Sequence, residues 1–342
     1  MKMRVLVTGH KGYIGSGLVP VLLRCDHEVV GLDSDLFREC TFGEQLAGVE
    51  EILKDIRDVE PADLKGFDAV IHLAGLSNDP LGDLNPKITG EINHKASVRL
   101  ASLSRESGVK KFLFSSSCSN YGASASEFVD EKSNLNPLTP YAKSKINAES
   151  GISRFAGSGF CPVILRVATA YGFSAKMRFD LVLNNLTACA FTSGQVRLKS
   201  NGDAWRPVIH VEDISRAFLA ILHAEEEKIC NKVFNVGRSN ENYRVLELAE
   251  IVQKLVPNSK IKFSKKANPD PRTYKVNCDL LPHTLPDYKP VWNVEMGVGE
   301  MVDSFKRLGL GQTDFKGIKY MRVEHIKMLI RNGQLEPSLR WN

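Results

Sequence analysis

The amino-acid sequence predicts an α/β chain: a doubly wound parallel sheet with helices on both faces, followed by a smaller, mixed C-terminal portion. Three observations carry this expectation. Short β-branched apolar runs alternate with helix-like segments through the first half of the chain. The first of these runs leads at once into a glycine-rich turn that opens a helix. The 342 residues are enough for one large or two medium domains with a substantial core.

The elements follow in order. Lys2 to Thr8 is an apolar run without turn residues and reads as a buried strand. Gly9-His10-Lys11-Gly12-Tyr13-Ile14-Gly15 comes next, and a helix-like stretch runs from Tyr13 to Arg24. Strand, glycine turn and helix together are the context of a dinucleotide-binding turn. Gly9 permits the tight turn, Gly12 lets backbone approach a pyrophosphate, and Gly15 lets helix and strand pack closely. The free N–H groups of the helix start then face phosphate. A second strand, Glu28 to Leu32, ends in Asp33, which lies near the ~20-residue distance expected of a ribose-binding acid. A carboxylate there accepts from both ribose hydroxyls and repels a 2′-phosphate, which implies NAD over NADP. Asp68 to Gly75 reads as a third strand, Glu91 to Gly108 as a helix, and Lys111 to Ser115 and Val163 to Val167 as further strands. Ligands of such sheets bind at the C-terminal strand ends, so Gly9, Asp33, Gly75 and Ser115–Ser117 are expected on one rim. From Thr169 the pattern is more mixed, as suits a substrate-binding portion, and the polar stretch Lys265 to Asn268 reads as a loop. The expected division is a cofactor unit of residues 1–168, rejoined by about 205–237, and a substrate unit of 169–204 and 238–342 with a helical tail.

Thr139-Pro140-Tyr141-Ala142-Lys143-Ser144-Lys145 reads as a helix start, with Thr139 as N-cap and Pro140 at the first helical position. Tyr141 and Lys145 are four apart and share a helical face. An ordinary phenol titrates near ~10, and a neighbouring ammonium is expected to lower that value. A phenol tuned in this way exchanges a proton with a sugar or alcohol hydroxyl while a hydride moves. Tyr-x-x-x-Lys alone is a weak signal, and its weight comes from the surrounding motifs.

Net charge is +5 without a concentrated basic run, which argues against a nucleic-acid partner. The seven cysteines are scattered, with no Cys-x-x-Cys, so neither a disulfide frame nor a zinc site is expected. That usage suits a reducing, cytoplasmic setting. No apolar stretch approaches the ~20 residues of a membrane span, and the short apolar start of the chain belongs to the first strand and not to a signal peptide.

The motifs, taken in order, resemble those of the extended short-chain dehydrogenase/reductases that act on nucleotide sugars, the NAD-dependent epimerase/dehydratase family. The matching pieces are Thr8-Gly9-x-x-Gly12-Tyr13-Ile14-Gly15, Asp55-Ile56-Arg57-Asp58, His72-Leu73-Ala74-Gly75, Phe114-Ser115-Ser116-Ser117 and Tyr121-Gly122. Further on come Tyr141-x-x-x-Lys145, Arg166 through Tyr171-Gly172, Arg206-Pro207-x-Ile209-His210-Val211-x-Asp213 and Phe234-Asn235-Val236-Gly237. The resemblance covers roughly residues 1–310 and implies a Rossmann-like fold with bound NAD. It implies a catalytic set of Ser117, Tyr141 and Lys145. Ser117 would hydrogen-bond the reacting sugar oxygen, and Lys145 would hold the nicotinamide ribose. Asp55 and Ile56 would contact adenine, while Tyr13, Ile14, Leu73, Ala74, Gly75, Asn93 and Ser115 would complete the cofactor site. Arg206 and Arg272 would grip the diphosphate of a nucleotide-diphosphate sugar, with Ser119 and Asn185 also on the substrate. The family is usually dimeric through paired helices, here Glu91–Gly108 and Tyr141–Ala156.

Departures from the family's subclasses narrow the chemistry. The 4,6-dehydratases carry an acid pair directly after the active-site serine or threonine, where this chain has Cys118 and Ser119, which argues against elimination. The 3,5-epimerising members place a cysteine two residues after that serine. Cys118 is one residue after it and is expected to face away as a packed thiol. The bare Ser–Tyr–Lys set suits a 4-epimerase and equally a net dehydrogenase or 4-ketoreductase. A non-catalytic NAD-sensing or RNA-binding relative is the reading from another class, and such relatives typically lose the tyrosine or the lysine. Thr169 replaces the family's usual asparagine, and the Leu76–Asp83 loop also differs. Beyond the common core, Val323 to Arg331 reads as an amphipathic helix. The segment Leu335–Trp341 is expected to dock on the chain's own surface or across a dimer.

Overall fold

The computed structural model describes residues 2–44, 48–124, 127–268 and 270–342. Its strands, in chain order, are β1 (Arg4–Thr8), β2 (Glu28–Asp33), β3 (Glu50–Leu53), β4 (Ala69–His72), β5 (Lys111–Ser117), β6 (Cys161–Val167), β7 (Thr169–Tyr171), β8 (Gln195–Ser200), β9 (Trp205–His210), β10 (Val233–Val236), β11 (Asn242–Arg244) and β12 (Lys260–Asn268). Seven of them form one sheet in the order β10-β6-β5-β4-β1-β2-β3, and every pairing is parallel. The order reverses at β1, the place where an open α/β sheet leaves a crevice at its C-terminal strand ends.

Period-two alternation sends successive residues of each strand to opposite faces, and both faces are covered. Val5, Val7, Leu113, Val163 and Leu165 join Leu18 and Leu22 of the helix Gly15–Arg24 and Phe218 and Ile221 of the helix Val211–His223. Leu6, Val70, Phe112, Phe114 and Ile164 pack on the other face against Leu100, Ile152, Ile326 and Leu329. Those four belong to the helices Ser97–Glu106, Pro140–Ser153 and Arg322–Arg331. Each such burial stabilises the fold by about 1.5–3 kcal/mol, so the two layers fix the sheet. A third core joins the helices Val182–Ser193, Val245–Leu255 and Val294–Leu308 through Leu186, Leu248, Val298, Met301 and Phe305. It lies beside a three-stranded sheet, β11-β9-β7, and the parallel pair β12-β8.

Several elements differ from the sequence expectation. The first helix begins at Gly15, not Tyr13, because Gly12–Ile14 are spent on the turn. The expected helix Glu91–Gly108 opens as a π-helical stretch, Gly90–Ala96, and turns α-helical only over Ser97–Glu106. The polar stretch Lys265–Asn268 is not a loop but the end of β12, whose register shifts between Phe263 and Asn268. Strand β3 carries the mostly exposed sequence Glu50-Glu51-Ile52-Leu53 and pairs only with β2, so no buried apolar run announces it. No helix among the described residues is long and apolar enough to cross a membrane.

Candidate active site

The crevice is built first by backbone. Gly9 takes φ +75°, and a Cβ there would stand 2.7 Å from Ala74 N. A Cβ on Gly15 would stand 2.3 Å from Gly9 O. Side chains are thus excluded where the turn meets the backbone just after β4, which leaves a bare cradle for a pyrophosphate. Asp33 closes the end of β2. Its carboxylate accepts from Lys11 N at 3.0 Å and Asp35 N at 2.8 Å, while burial raises its pKa. Gly12, Tyr13, Ile14, Asp33, Asp55, Ile56, Leu73, Ala74, Gly75 and Ser115 all line this cleft. Asp55 also orders the turn that follows it, accepting from Arg57 N at 2.8 Å and pairing with the Arg57 guanidinium at 2.6 Å. The bare cradle and the carboxylate rim fit a dinucleotide with a free ribose 2′-hydroxyl.

Ser117, Tyr141 and Lys145 meet on the same cleft. Ser117 ends β5. Tyr141 enters on the first turn of the helix Pro140–Ser153, where Thr139 Oγ1 accepts from Ala142 N at 3.2 Å and Pro140 sits at a position that needs no N–H. Ser117 Oγ accepts from Ser119 N at 3.1 Å and from Ser119 Oγ at 2.9 Å, which leaves its own proton for a partner on the cleft side, where Tyr141 also lies. The expectation of an acidified phenol is corrected here. Burial pushes Tyr141 up to about 12, and the Ser117 hydrogen bond and the charge of Arg178 only partly oppose it. The ammonium is turned elsewhere: Lys145 Nζ donates to Ser115 O at 2.8 Å, lies 4.7 Å over the Phe114 ring and is 5.9 Å from the centre of the Tyr141 ring. Burial lowers Lys145 itself to about 8.

A buried polar network braces this set from below. Glu149, one turn beyond Lys145, accepts from Ser116 Oγ, from Asn120 Nδ2 at 2.8 Å and from Arg166 Nη2 at 2.7 Å. Arg166 Nη1 reaches Tyr121 Oη at 3.2 Å, and Tyr121 Oη donates to Asn235 Oδ1 at 2.7 Å. The helix carrying Tyr141, the ends of β5 and β6, and β10 are therefore tied together. Asn93 is not on the cleft wall. Its amide accepts from Leu76 N at 2.8 Å and donates to Leu76 O at 3.0 Å and Ser144 Oγ at 3.2 Å, so it holds the loop after β4 against the Tyr141 helix. Cys118 is buried in the core, its thiol on Arg166 O at 3.2 Å. It starts a 3₁₀ turn and does not continue the strand, so strand alternation is not what turns it away from the cleft.

The substrate half differs more from expectation. Arg206 and Arg272 both line the cleft, yet both are held by Asp270, at 2.6 and 2.8 Å, and Arg272 also pairs with Asp79. Asn185 does not face the cleft; its amide donates to Phe179 O at 2.6 Å. Arg178, Asp180 and Asn78 are among the cleft residues that sequence reasoning did not single out. Arg178, whose charge acts on Tyr141, is clamped by Asp180 at 2.8 Å and donates to Ser77 Oγ at 3.0 Å. Asn78 donates to Asp180 Oδ2 at 2.5 Å. Arg178 and Asp180 sit two apart within a segment of mixed character, and no periodicity exposes them.

The geometry is matched by comparison with known proteins. The model of the NAD-dependent epimerase/dehydratase family matches residues 5–237. The chain belongs to this family. It is an enzyme, and NAD is its cofactor. It is 28% identical over 266 residues to YtcB of Bacillus subtilis strain 168, described as an uncharacterised UDP-glucose epimerase, covering 73% of this chain and 81% of that protein. It is 25% identical over 334 residues to UDP-glucuronic acid decarboxylase 1 of Arabidopsis thaliana, covering 93% and 73%. Among solved structures, MoeE5 in complex with UDP-glucuronic acid and NAD superposes with a TM-score of 0.77 at 25% identity, over 89% of this chain and 99% of that one.

Proposed function

We propose that this enzyme is a nucleotide-sugar 4-epimerase of polysaccharide or glycoconjugate sugar biosynthesis. The observation that carries the reading is the bareness of the Ser117–Tyr141–Lys145 set. Directly after Ser117 stand a core-buried thiol, Cys118, and a neutral hydroxyl, Ser119, so these two positions supply no acid or base for elimination at a second carbon. The epimerase name of the Bacillus subtilis relative supports the same reading. Bound NAD would supply a hydride acceptor at the sugar carbon and the donor for its return. Tyr141 acts as its phenolate, taking the C4 hydroxyl proton and giving it back on the return. Ser117, fixed by two hydrogen bonds from Ser119, donates to the same sugar oxygen. The buried ammonium of Lys145, held on Ser115 O, holds the ribose beside it. Arg206 and Arg272, both held by Asp270, use their remaining N–H groups on the diphosphate. The keto sugar then rotates about an anchored nucleotide.

The reading includes a cytoplasmic homodimer paired through the helices Ser97–Glu106 and Pro140–Ser153. All seven cysteines are free, as suits a reducing compartment. Light scattering after gel filtration tests the dimer. The reaction is tested by stoichiometry on UDP-, GDP-, CDP- and dTDP-sugars. Many C4-epimerised sugars per NAD, with no rise in reduced cofactor, is the expected result. One NADH per sugar replaces the reading with a net dehydrogenase.

A further inference from the structure

The C-terminal segment lies beyond residues 5–237, which the family model spans, yet it reaches the cofactor cleft. After the helix Arg322–Arg331 the chain turns at Gly333, φ +68°, and folds back so that Leu335 bridges to Trp341. Its anchors are residues adjoining the cofactor rim. Trp341 Nε1 donates to Ser34 O at 2.6 Å, next to Asp33. Arg57 Nη1, next to Ile56, donates to Ser338 O at 2.9 Å. Arg340 Nη2 donates to Asp58 Oδ1 at 2.9 Å, and Arg38 lies 4.2 Å over the Trp341 ring. These ties press Leu339 into the cleft, where it lines the wall together with Asp33, Asp55 and Ile56.

Leu339 is held at φ +60°. A leucine in the left-handed region is strained and persists only where its surroundings enforce it. Here the enforcing contacts are Leu339 N on Glu336 O at 2.9 Å and Glu336 N on Arg340 O at 2.8 Å. The second observation is Arg322, at the start of the same segment. It lines the same cleft and is 2% exposed. Its Nη2 donates to Lys176 O at 3.1 Å and its guanidinium lies 3.9 Å over the Phe37 ring. Among the described residues Nη1 has no hydrogen-bond partner. Burial lowers this guanidinium to about 10, so it stays charged at neutral pH. A buried cation with an unused donor is unfavourable unless an anion shares its site.

We infer that the segment Arg322–Trp341 is part of the cofactor site: Leu339 is an apolar wall for the adenosine, and Arg322 is a cation for the adjoining diphosphate. The assignment holds whichever sugar reaction the enzyme catalyses. It is tested with ADP-ribose, which carries the adenosine diphosphate end without the nicotinamide, titrated calorimetrically into full-length variants, with UDP titrated alongside. In Leu339→Gly the strained residue is replaced by one at ease at positive φ, so thermal stability is expected to be kept or raised. ADP-ribose affinity should nevertheless fall by about fivefold or more while UDP affinity is unchanged. Arg322→Gln should lower ADP-ribose affinity by about tenfold and flatten its dependence on salt. A tail with a purely structural role would not combine undiminished stability with weaker ADP-ribose binding. ADP-ribose affinity less than about threefold below that of the unaltered chain in Leu339→Gly, or an equal loss for UDP, overturns the assignment of the tail. The same result in Arg322→Gln overturns the assignment of the arginine.

Discussion

Replacing Lys145 with methionine should make the protein more stable while it destroys catalysis. The amine is fully buried, and its pKa falls from 10.5 to about 8. At ~1.4 kcal/mol per pKa unit, the charged form destabilises the fold at neutral pH by about 3 kcal/mol. Methionine keeps the apolar stem against Phe114 but loses the hydrogen bond to Ser115 O, worth about 1 kcal/mol. The net expectation is a gain of about 2 kcal/mol for Lys145→Met at pH 7. The direction with pH follows from the depressed value. Below about 8 the amine is charged in folded and unfolded chains alike, and the full destabilisation is present. Between about 8 and 10.5 the unfolded chain binds more protons than the folded one, so the unaltered protein gains stability as pH rises. The gap between the two proteins should therefore narrow across that window. Urea denaturation of the cofactor-free proteins, followed by circular dichroism at pH 7 and near pH 10, measures it. A methionine variant that is less stable at pH 7, or a gap that does not change with pH, refutes the reasoning.

Tyr141→Phe should abolish turnover and leave the NAD dissociation constant nearly unchanged, since the phenol's role is the proton; calorimetry alongside an epimer assay checks both halves. Glu149→Gln removes the counter-charge of buried Arg166 and should cost about 3–5 kcal/mol in urea denaturation. Combining it with Arg166→Met should recover much of that loss. Gly15→Ala forces a methyl to within 2.3 Å of Gly9 O, so NAD binding should be lost by calorimetry and the cofactor-free protein destabilised by about 1–3 kcal/mol.

The sheet and its cofactor rim were legible because the physics that builds them is local. The apolar run of β1, the glycines that follow and the acid ending β2 each declare themselves within a few residues. Tyr141 and Lys145 were legible because a helix start fixes their relative direction. The electrostatics were not legible, since they depend on what packs around the pair: Lys145 is drawn to a carbonyl of β5 and the face of Phe114, neither of which is near in sequence. Arg206 and Arg272 read as free diphosphate grips because the carboxylates that hold them are brought in by the fold: Arg206 meets Asp270, and Arg272 also meets Asp79, which opens the short helix Asp79–Gly82 far away in the chain. The end of β12 was read as a loop because its residues are polar, and its strand form comes from pairing with β8.

Strand β10 completes the large sheet beside β6 only after the chain has left at Val167 and returned at Val233. During synthesis, the nascent polypeptide emerging up to β6 therefore presents an unsealed backbone row and an apolar face that still lacks Phe218, Ile221 and Phe234. Such borders recruit stray strands from other molecules. The intervening residues cannot be viewed as an attachment to a finished nucleotide-binding module: until they have been translated and threaded back, β6 has no strand beside it and the apolar face above it is uncovered.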